Sequence, residues 1–170
     1  MEKIKFGIVG CGRISGKHIE AIKSLNDAEI TAVCDTVNKK AKAAAKQADA
    51  PFYVYYDEML KKEKVDVVSI LTPSGMHPLH TIDIVNKYRK NIICEKPMAL
   101  HIDDADDMIK ACDENGVHLF IVKQNRFNLP VMKLKEALIE NKFGKLVLGT
   151  VRVRWCRTQK YYDMDDWRGT

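Results

Sequence analysis

A glycine turn between a strand pattern and a helix pattern most constrains the fold of this chain. Apolar residues alternate and then become continuous over Ile4–Val9, Gly10-Cys11-Gly12 follows, and apolar residues recur on one helical face from Ile14 onward. A strand, a tight turn and a helix in this order predict the front of a dinucleotide-binding unit. Gly10 would permit the sharp turn, and Gly12, which lacks a Cβ, would let a pyrophosphate approach the backbone.

The third position of the G-x-G-x-x-G pattern is Ser15 rather than glycine or alanine. Serine is small enough for close packing of the helix on the strand, although the pattern is degraded there. Glycine turns are common, so the nucleotide interpretation depends on the position of this turn between a strand and a helix.

Size and composition limit the number of domains and the class of protein to which the chain can belong. The 170 residues are 46% hydrophobic and 30% charged, which suits one domain with a core, or one domain and part of another. We expect a cytoplasmic protein with no membrane partner, because no apolar run approaches about 20 residues and the start resembles a strand rather than a signal peptide. The five cysteines include no C-x-x-C pair, so we expect reduced thiols and no metal site.

The net charge of +5 makes nucleic acid the first partner to consider. The lysines of 39–46 alternate with alanine, however, which is typical of a solvated helix face. We therefore expect no nucleic-acid partner. The arginines near the end of the chain would suit an anionic small molecule at least as well; they are Arg152, Arg154, Arg157 and Arg168.

Strand and helix patterns alternate through the first 124 residues. This alternation predicts an α/β fold with a doubly wound parallel sheet, in which ligands bind beyond the carboxyl ends of the strands. Asp57 and Asp103 are expected to cap two of the helices. The expected strands are Ile4–Val9, Glu29–Cys34, Phe52–Val54, Val65–Leu71, Asn91–Cys94 and Val117–Val122.

Asp35 follows the second strand at roughly the spacing of 20 residues that separates the glycines from the ribose-binding acid of dinucleotide folds. Its alternative role is to cap the next helix. An acid at this position repels a 2′-phosphate, and no arginine occurs within 36–38. The sequence therefore favours NAD over NADP as the cofactor.

The pattern changes after the sixth strand, which divides the chain into a domain over 1–124 and a second segment over 125–170. A helix is expected from Leu129 to Asn141, and residues 146–155 alternate as a half-exposed strand. One such strand cannot bury its apolar face alone. We expect the chain to stop just inside a second, α+β domain; the alternative is that this strand packs on the first sheet.

The motifs GIVGCGRIS, CD, TPSGMHP, CEKPMAL and QNRF, in this order, resemble the sugar oxidoreductases of the Gfo/Idh/MocA family. The resemblance implies an NAD(P)-binding Rossmann domain followed by the truncated start of a second domain, through which the protein would form a homo-oligomer. The final stretch, from Val151, resembles members that oxidise a UDP-linked sugar acid in lipopolysaccharide O-antigen synthesis.

The resemblance also implies roles for individual residues. Lys96 would be catalytic, facing the sugar carbon that is oxidised, and Pro97 would follow a cis peptide bond. The histidine that serves as acid/base partner in the family has no counterpart after Arg168, so we expect this chain to bind NAD without turnover. The implied cofactor contacts are Gly10, Gly12, Arg13, Ile14, Asp35, Thr72, Pro73, His77, Glu95, Lys96 and Gln124, and the implied substrate contacts are Lys96, Asn125, Arg126, Arg154, Trp167 and Arg168.

The chemistry of Lys96 is plausible on physical grounds, because a lysine beside a reacting hydroxyl stabilises developing negative charge and can relay its proton. The alternative to a catalytic Lys96 is an ordinary exposed lysine at a strand end. For His77 the alternative is a residue that merely begins a helix, and His18 and His80 are taken as structural or surface residues. Two other functions stay open: a dehydrogenase for another sugar or inositol, and a non-catalytic dinucleotide sensor.

Overall fold

Six parallel strands form a single sheet in the order β3-β2-β1-β4-β5-β6. The computed structural model describes residues 2–164, and the chain divides into two compact units between Val122 and Lys123. The sheet lies in the first unit and confirms the predicted doubly wound fold. Its strands are β1 (Ile4–Val9), β2 (Ala28–Cys34), β3 (Phe52–Tyr53), β4 (Val67–Ile70), β5 (Asn91–Cys94) and β6 (Leu119–Ile121).

Five helices connect these strands and cover both faces of the sheet. Side chains of β1 alternate between the faces: Phe6 and Ile8 pack against α1 and α2, whereas Val9 belongs to the core beneath α3, α4 and α5. Burial on both faces explains the nearly continuous apolar runs of the central strands. The helices are α1 (Ser15–Lys23), α2 (Asn38–Ala48), α3 (Tyr56–Lys62), α4 (His77–Tyr88) and α5 (Ile102–Asn115).

The predicted helix caps at Asp57 and Asp103 are wrong. The capping positions are Tyr55 before α3 and His101 before α5, and neither makes a side-chain cap hydrogen bond. Both aspartates lie instead in the first turn of their helices. A carboxylate there still interacts favourably with the positive end of the helix dipole, which explains acidic residues at these positions without a cap.

The second unit contains α6 (Leu129–Ile139) and the short α7 (Gln159–Tyr162). The predicted strand over 146–155 is wrong, because these residues form no hydrogen-bonded strand. An alternating pattern becomes a strand only when a neighbouring strand accepts its backbone hydrogen bonds. Valines 147, 151 and 153 are accordingly exposed, by 88%, 88% and 76%.

The backbone of the turn after β1 lies close to the segment that follows β4. Gly10 has φ +97°, and a Cβ on this residue would lie 2.6 Å from the carbonyl carbon of Leu71. The turn thus requires glycine for two reasons, a left-handed φ and the absence of space for any side chain. At Gly12, two residues on, a Cβ would meet no atom within 4 Å.

We predict that Gly10→Ala destabilises the first unit, whereas Gly12→Ala does not. Strained φ alone costs about 1–3 kcal/mol, and the clash with Leu71 adds to it. The open surroundings of Gly12 limit the effect of its substitution to about 0.5 kcal/mol. Urea unfolding of the two variants beside the wild type measures the difference, and equal destabilisation by both substitutions would contradict the geometry of the turn.

Candidate functional site

Four strands end side by side at one edge of the sheet. Val9 of β1 lies opposite Cys34 of β2 and Ile70 of β4, and Ile70 lies opposite Cys94 of β5. Neighbouring strands are about 4.8 Å apart, so the segments that follow them are brought close together. The segments at this edge begin with Gly10, Asp35, Leu71-Thr72 and Glu95-Lys96.

The glycine turn leads directly into the N-terminus of α1. Ser15, the degraded third position of the pattern, is buried, and its hydroxyl donates a 2.7 Å hydrogen bond to the Gly12 carbonyl. The serine thus closes the turn on itself as well as packing the helix. The space around Gly12 and the unpaired N–H groups of a helix N-terminus fit an anionic group such as a phosphate.

A groove of about 530 Å³ runs beside this turn. Gly12 and Arg13 form one wall, and Lys39, Lys40 and Gln47 of α2 contribute to the other. The sequence indicated only a solvated face for these two lysines, whereas the fold brings them to the groove beside the glycine turn. Three cations there add to its suitability for a negatively charged ligand.

Asp35 connects β2 to the glycine turn. Its Oδ2 accepts a 2.8 Å hydrogen bond from the Cys11 amide, and its Oδ1 accepts a 2.8 Å hydrogen bond from the Val37 amide. The capping position of α2 is Val37, so Asp35 is not the helix cap. Burial, together with the charge of Asp35, raises the pKa of the Cys11 thiol to about 12, which excludes a reactive thiolate at the turn.

Glu95 follows β5 and is 8% exposed. Its Oε1 lies 3.0 Å from Nε2 of His18 on α1, and its Oε2 accepts a 3.1 Å hydrogen bond from the Lys96 amide. Burial acts to raise the pKa of Glu95, but the hydrogen bonds and charges of His18 and Lys96 outweigh it and lower the pKa. Glu95 is therefore held as a carboxylate.

The predicted catalytic residue, Lys96, comes next. Its side chain is exposed at the carboxyl edge of the sheet, and the Lys96-Pro97 peptide bond is cis, as the resemblance implied. The glycine turn and Lys96 thus lie at the same edge, separated by the end of β4.

His77 begins α4 and is only 1% exposed. Its Nδ1 lies 2.7 Å from the Pro97 carbonyl oxygen and its Nε2 lies 2.8 Å from that of Thr72. Each carbonyl oxygen can accept a hydrogen bond from the ring nitrogen that it faces when that nitrogen carries hydrogen. His77 therefore fastens the loop after β4 to the loop after β5, and its predicted contact with the cofactor stays a prediction.

His80, one helical turn beyond His77, contacts the same loop. Its Nδ1 lies 3.0 Å from the Thr72 hydroxyl oxygen, and its ring packs edge-on against Tyr56 of α3. Burial lowers the pKa of His80, and the neighbouring His77 adds to the effect, so the neutral form is favoured. The contact with His80 thus holds the Thr72 side chain in place. The next residue, Pro73, is exposed.

Of the other predicted residues, Ile14 occupies the capping position of α1, and the rest follow Val122 in the chain. Gln124, Asn125 and Arg126 occupy a short 3₁₀ turn, Gln124–Phe127, and their side chains are exposed, as is that of Arg154. Beside Arg154, the guanidinium of Arg157 lies 3.9 Å from the ring centre of Trp155. Trp167 and Arg168 lie outside the described residues, so their proposed substrate contacts stay predictions.

A family of known proteins matches this architecture. Residues 4–123 match the Gfo/Idh/MocA family, described as an oxidoreductase family with an NAD-binding Rossmann fold. The chain belongs to the Gfo/Idh/MocA family. The matched residues cover the whole sheet and the segments at its carboxyl edge, so the family assignment rests on the unit that carries the candidate site.

Several Gfo/Idh/MocA relatives have known structures or activities. The WlbA dehydrogenase of Bordetella pertussis, solved with NADH and UDP-GlcNAcA, is 42% identical, with a TM-score of 0.94 over 100% of this chain and 51% of its own. The WlbA dehydrogenase of Chromobacterium violaceum, solved with the same ligands, is 40% identical, with a TM-score of 0.94 over 100% of this chain and 49% of its own. D-apiose dehydrogenase of Paraburkholderia graminis is 31% identical over 91% of this chain and 41% of its own. The chain therefore spans about half the length of these relatives, or less.

Residues 2–164 lack both a membrane-spanning helix and a cluster of metal ligands. No helix in this range combines the length and apolar character needed to cross a bilayer. No three His, Cys, Asp or Glu side chains in it converge as a set of metal ligands.

The lowered pKa of Glu95 predicts how stability depends on pH. A carboxylate with a lowered folded-state pKa stabilises the fold above its ordinary value of 4.5, and this contribution is lost as the pH falls through the folded-state pKa. We expect the stability of the wild type relative to Glu95→Gln to be higher at pH 6 than at pH 3, with the decrease occurring below pH 4.5. Thermal unfolding from pH 6 to pH 3 measures it.

Glu114→Gln is a suitable control, because Glu114 is an exposed acid on α5 with only a 4.0 Å ion pair to Lys110. Its effect on stability should be small across the same pH range. A difference between wild type and Glu95→Gln that stays constant down to pH 3 would contradict the interpretation of Glu95.

Proposed function

We propose that the full-length protein is an NAD-dependent dehydrogenase that oxidises the C3 hydroxyl of UDP-N-acetylglucosaminuronic acid in lipopolysaccharide O-antigen synthesis, in the cytoplasm. The observation that carries this proposal is the 42% identity to the Bordetella pertussis enzyme over the whole chain, since that enzyme was solved with NADH and UDP-GlcNAcA. The relationship extends through the second unit, where the chain departs from the dinucleotide-binding fold.

The residues at the sheet edge fit an NAD cofactor. The space above Gly12, the N-terminus of α1 and the cation of Arg13 would receive the pyrophosphate. Asp35 would bind the adenosine ribose and repel a 2′-phosphate. The cofactor would extend across the ends of β1 and β4, so that its nicotinamide end lies near Thr72 and Glu95.

Lys96 would act on the substrate hydroxyl. NAD held at this edge would supply the acceptor for the hydride that leaves the sugar carbon. The Lys96 side chain would accept the proton of the hydroxyl through its amine lone pair, and the ammonium group so formed would stabilise the negative charge on the oxygen. Glu95, held by His18 and by the Lys96 amide, would keep an oxygen lone pair available to a ribose hydroxyl.

The second unit would contribute to substrate recognition. We propose that Asn125 and Arg126 border the sugar, and that Arg154 and Arg168, with Trp167, contact the diphosphate or carboxylate. Guanidinium groups suit both anions because they donate two parallel hydrogen bonds. A homo-oligomer formed through the rest of the protein is part of the same proposal.

The main alternative retains the chemistry and changes the sugar. Its support is the 31% identity to D-apiose dehydrogenase and the 30% identity, over 84% of this chain, to the myo-inositol 2-dehydrogenase of Thermotoga maritima. Full-length protein incubated with UDP-N-acetylglucosaminuronic acid, NAD and a 2-oxo acid that reoxidises the cofactor distinguishes the candidates. Absence of oxidised sugar there, with turnover of a free aldose or inositol, would favour the alternative.

We predict that the 170-residue chain binds NAD and prefers it to NADP by about tenfold or more, because Asp35 would face the 2′-phosphate. Isothermal titration calorimetry with both cofactors measures this preference. Tighter binding of NADP would overturn the assignment of Asp35.

We predict that Gly12→Ala weakens NAD binding without loss of stability, because its Cβ would enter the open space proposed for the pyrophosphate. Calorimetry with NAD and urea unfolding of the same variant measure the two effects.

We predict that Lys96→Ala lowers kcat of the full-length enzyme by about a hundredfold or more, while the Kd for NAD changes little. The proton of the substrate hydroxyl would lose its acceptor, whereas the cofactor would keep its glycine turn and Asp35. Steady-state kinetics and calorimetry on one preparation measure both quantities. A sensor would keep its function in this variant, so unchanged function would reject the enzyme.

A further inference from the structure

One side-chain contact joins the phosphate-binding helix to the loop that carries Lys96. His18 lies in the first half of α1, and its Nε2 is 3.0 Å from Oε1 of Glu95. The side chains of His18 and Glu95 are only 15% and 11% exposed. These residues are distant in sequence, so the contact exists only because α1 begins and β5 ends at the same edge of the sheet.

Both oxygens of Glu95 are used in this arrangement. Oε1 contacts His18, and Oε2 accepts the amide hydrogen of Lys96. The carboxylate plane is therefore fixed from two sides, by a residue of α1 and by the backbone that bears the proposed catalytic side chain. A change at His18 can thus reach Lys96 through a single intervening residue.

A contribution to stability alone does not explain this pair well. Removing an acid from water is costly, and a partly buried acid–imidazole pair is weak evidence for net stabilisation. The apolar clusters on both faces of the sheet are built without it. The pair lies instead at the edge where the glycine turn and Lys96 are found, where positioning of a side chain matters more than stability.

We propose that His18 is a positioning residue: its Nε2–H orients the Glu95 carboxylate toward the nicotinamide ribose and holds the turn that presents Lys96. This inference rests on the proposed function, because it assigns a partner to the same site. His18 itself contacts neither cofactor nor substrate. Its effect on ligand binding is transmitted entirely through Glu95.

The test is a double-mutant cycle on NADH affinity, measured by calorimetry or by NADH fluorescence with the 170-residue chain and with the full-length protein. His18→Leu should weaken NADH binding about tenfold, which corresponds to loss of one charge-assisted hydrogen bond. In a Glu95→Ala background, His18→Leu should change the affinity by less than about twofold, because its route to the ligand is already lost. Equal losses in both backgrounds would overturn the proposal, since general damage to α1 would act independently of Glu95.

Conservative variants provide a second readout. The side-chain amide of glutamine places a donor near the position of Nε2, whereas that of asparagine is too short. His18→Gln should therefore retain affinity within about twofold, and His18→Asn should resemble His18→Leu. The Gln and Asn variants decide the question if His18→Leu fails to fold; equal affinity of both would reject the positioning role.

His118→Leu is the matched control, because His118 is exposed and precedes β6 away from Glu95. It should bind NADH like the wild type. If the wild type binds NADH and the cycle is additive, the role of His18 is rejected and the dehydrogenase remains. If the wild type does not bind NADH, the proposed function fails and this inference fails with it.

Discussion

The close approach of the first turn to the segment after β4 constrains the carboxyl edge of the sheet. A Cβ on Gly10 would lie 2.6 Å from the Leu71 carbonyl carbon. Val9 of β1 pairs with Ile70 of β4, so the two strands end together and the segments after them lie side by side. The register of β4 with β5 then brings Glu95 and Lys96 to the same edge. The register of the strands, and not contacts between side chains, therefore brings the segments of the candidate site together.

Most of the first unit could be predicted because its signals are local and agree with its tertiary structure. The strand at Asn91–Cys94 was predicted with the correct ends, and the edge strand β6 proved shorter than its pattern. The largest failure depends on something outside the segment. Residues 146–155 have the pattern of a strand, but a pattern cannot supply the neighbouring strand that must accept its hydrogen bonds.

The placement of a candidate residue was predictable where its position follows from the strand and turn pattern. The glycines and Asp35 are of this kind, since their spacing reports the turn and the second strand end. The contact of His18 with Glu95 was missed, because no spacing links a helix to a loop four strands later in the chain. A histidine in the first half of α1 and an acid directly after β5 were the available signal. His77 was ambiguous for a similar reason, since its two carbonyl partners come from separate loops.

The proposed role of Asp35 is coupled to a structural one, and this coupling restricts how the protein could evolve. One carboxylate oxygen accepts a hydrogen bond from the Cys11 amide, so the residue proposed to select the cofactor also secures the glycine turn. A lineage that exchanged this acid for a neutral or basic residue, in order to accept a phosphorylated ribose, would release the loop in the same step. Such a transition requires a second, compensating change that restores an acceptor for Cys11. Cofactor choice is therefore inherited together with loop architecture, and not as an independent trait.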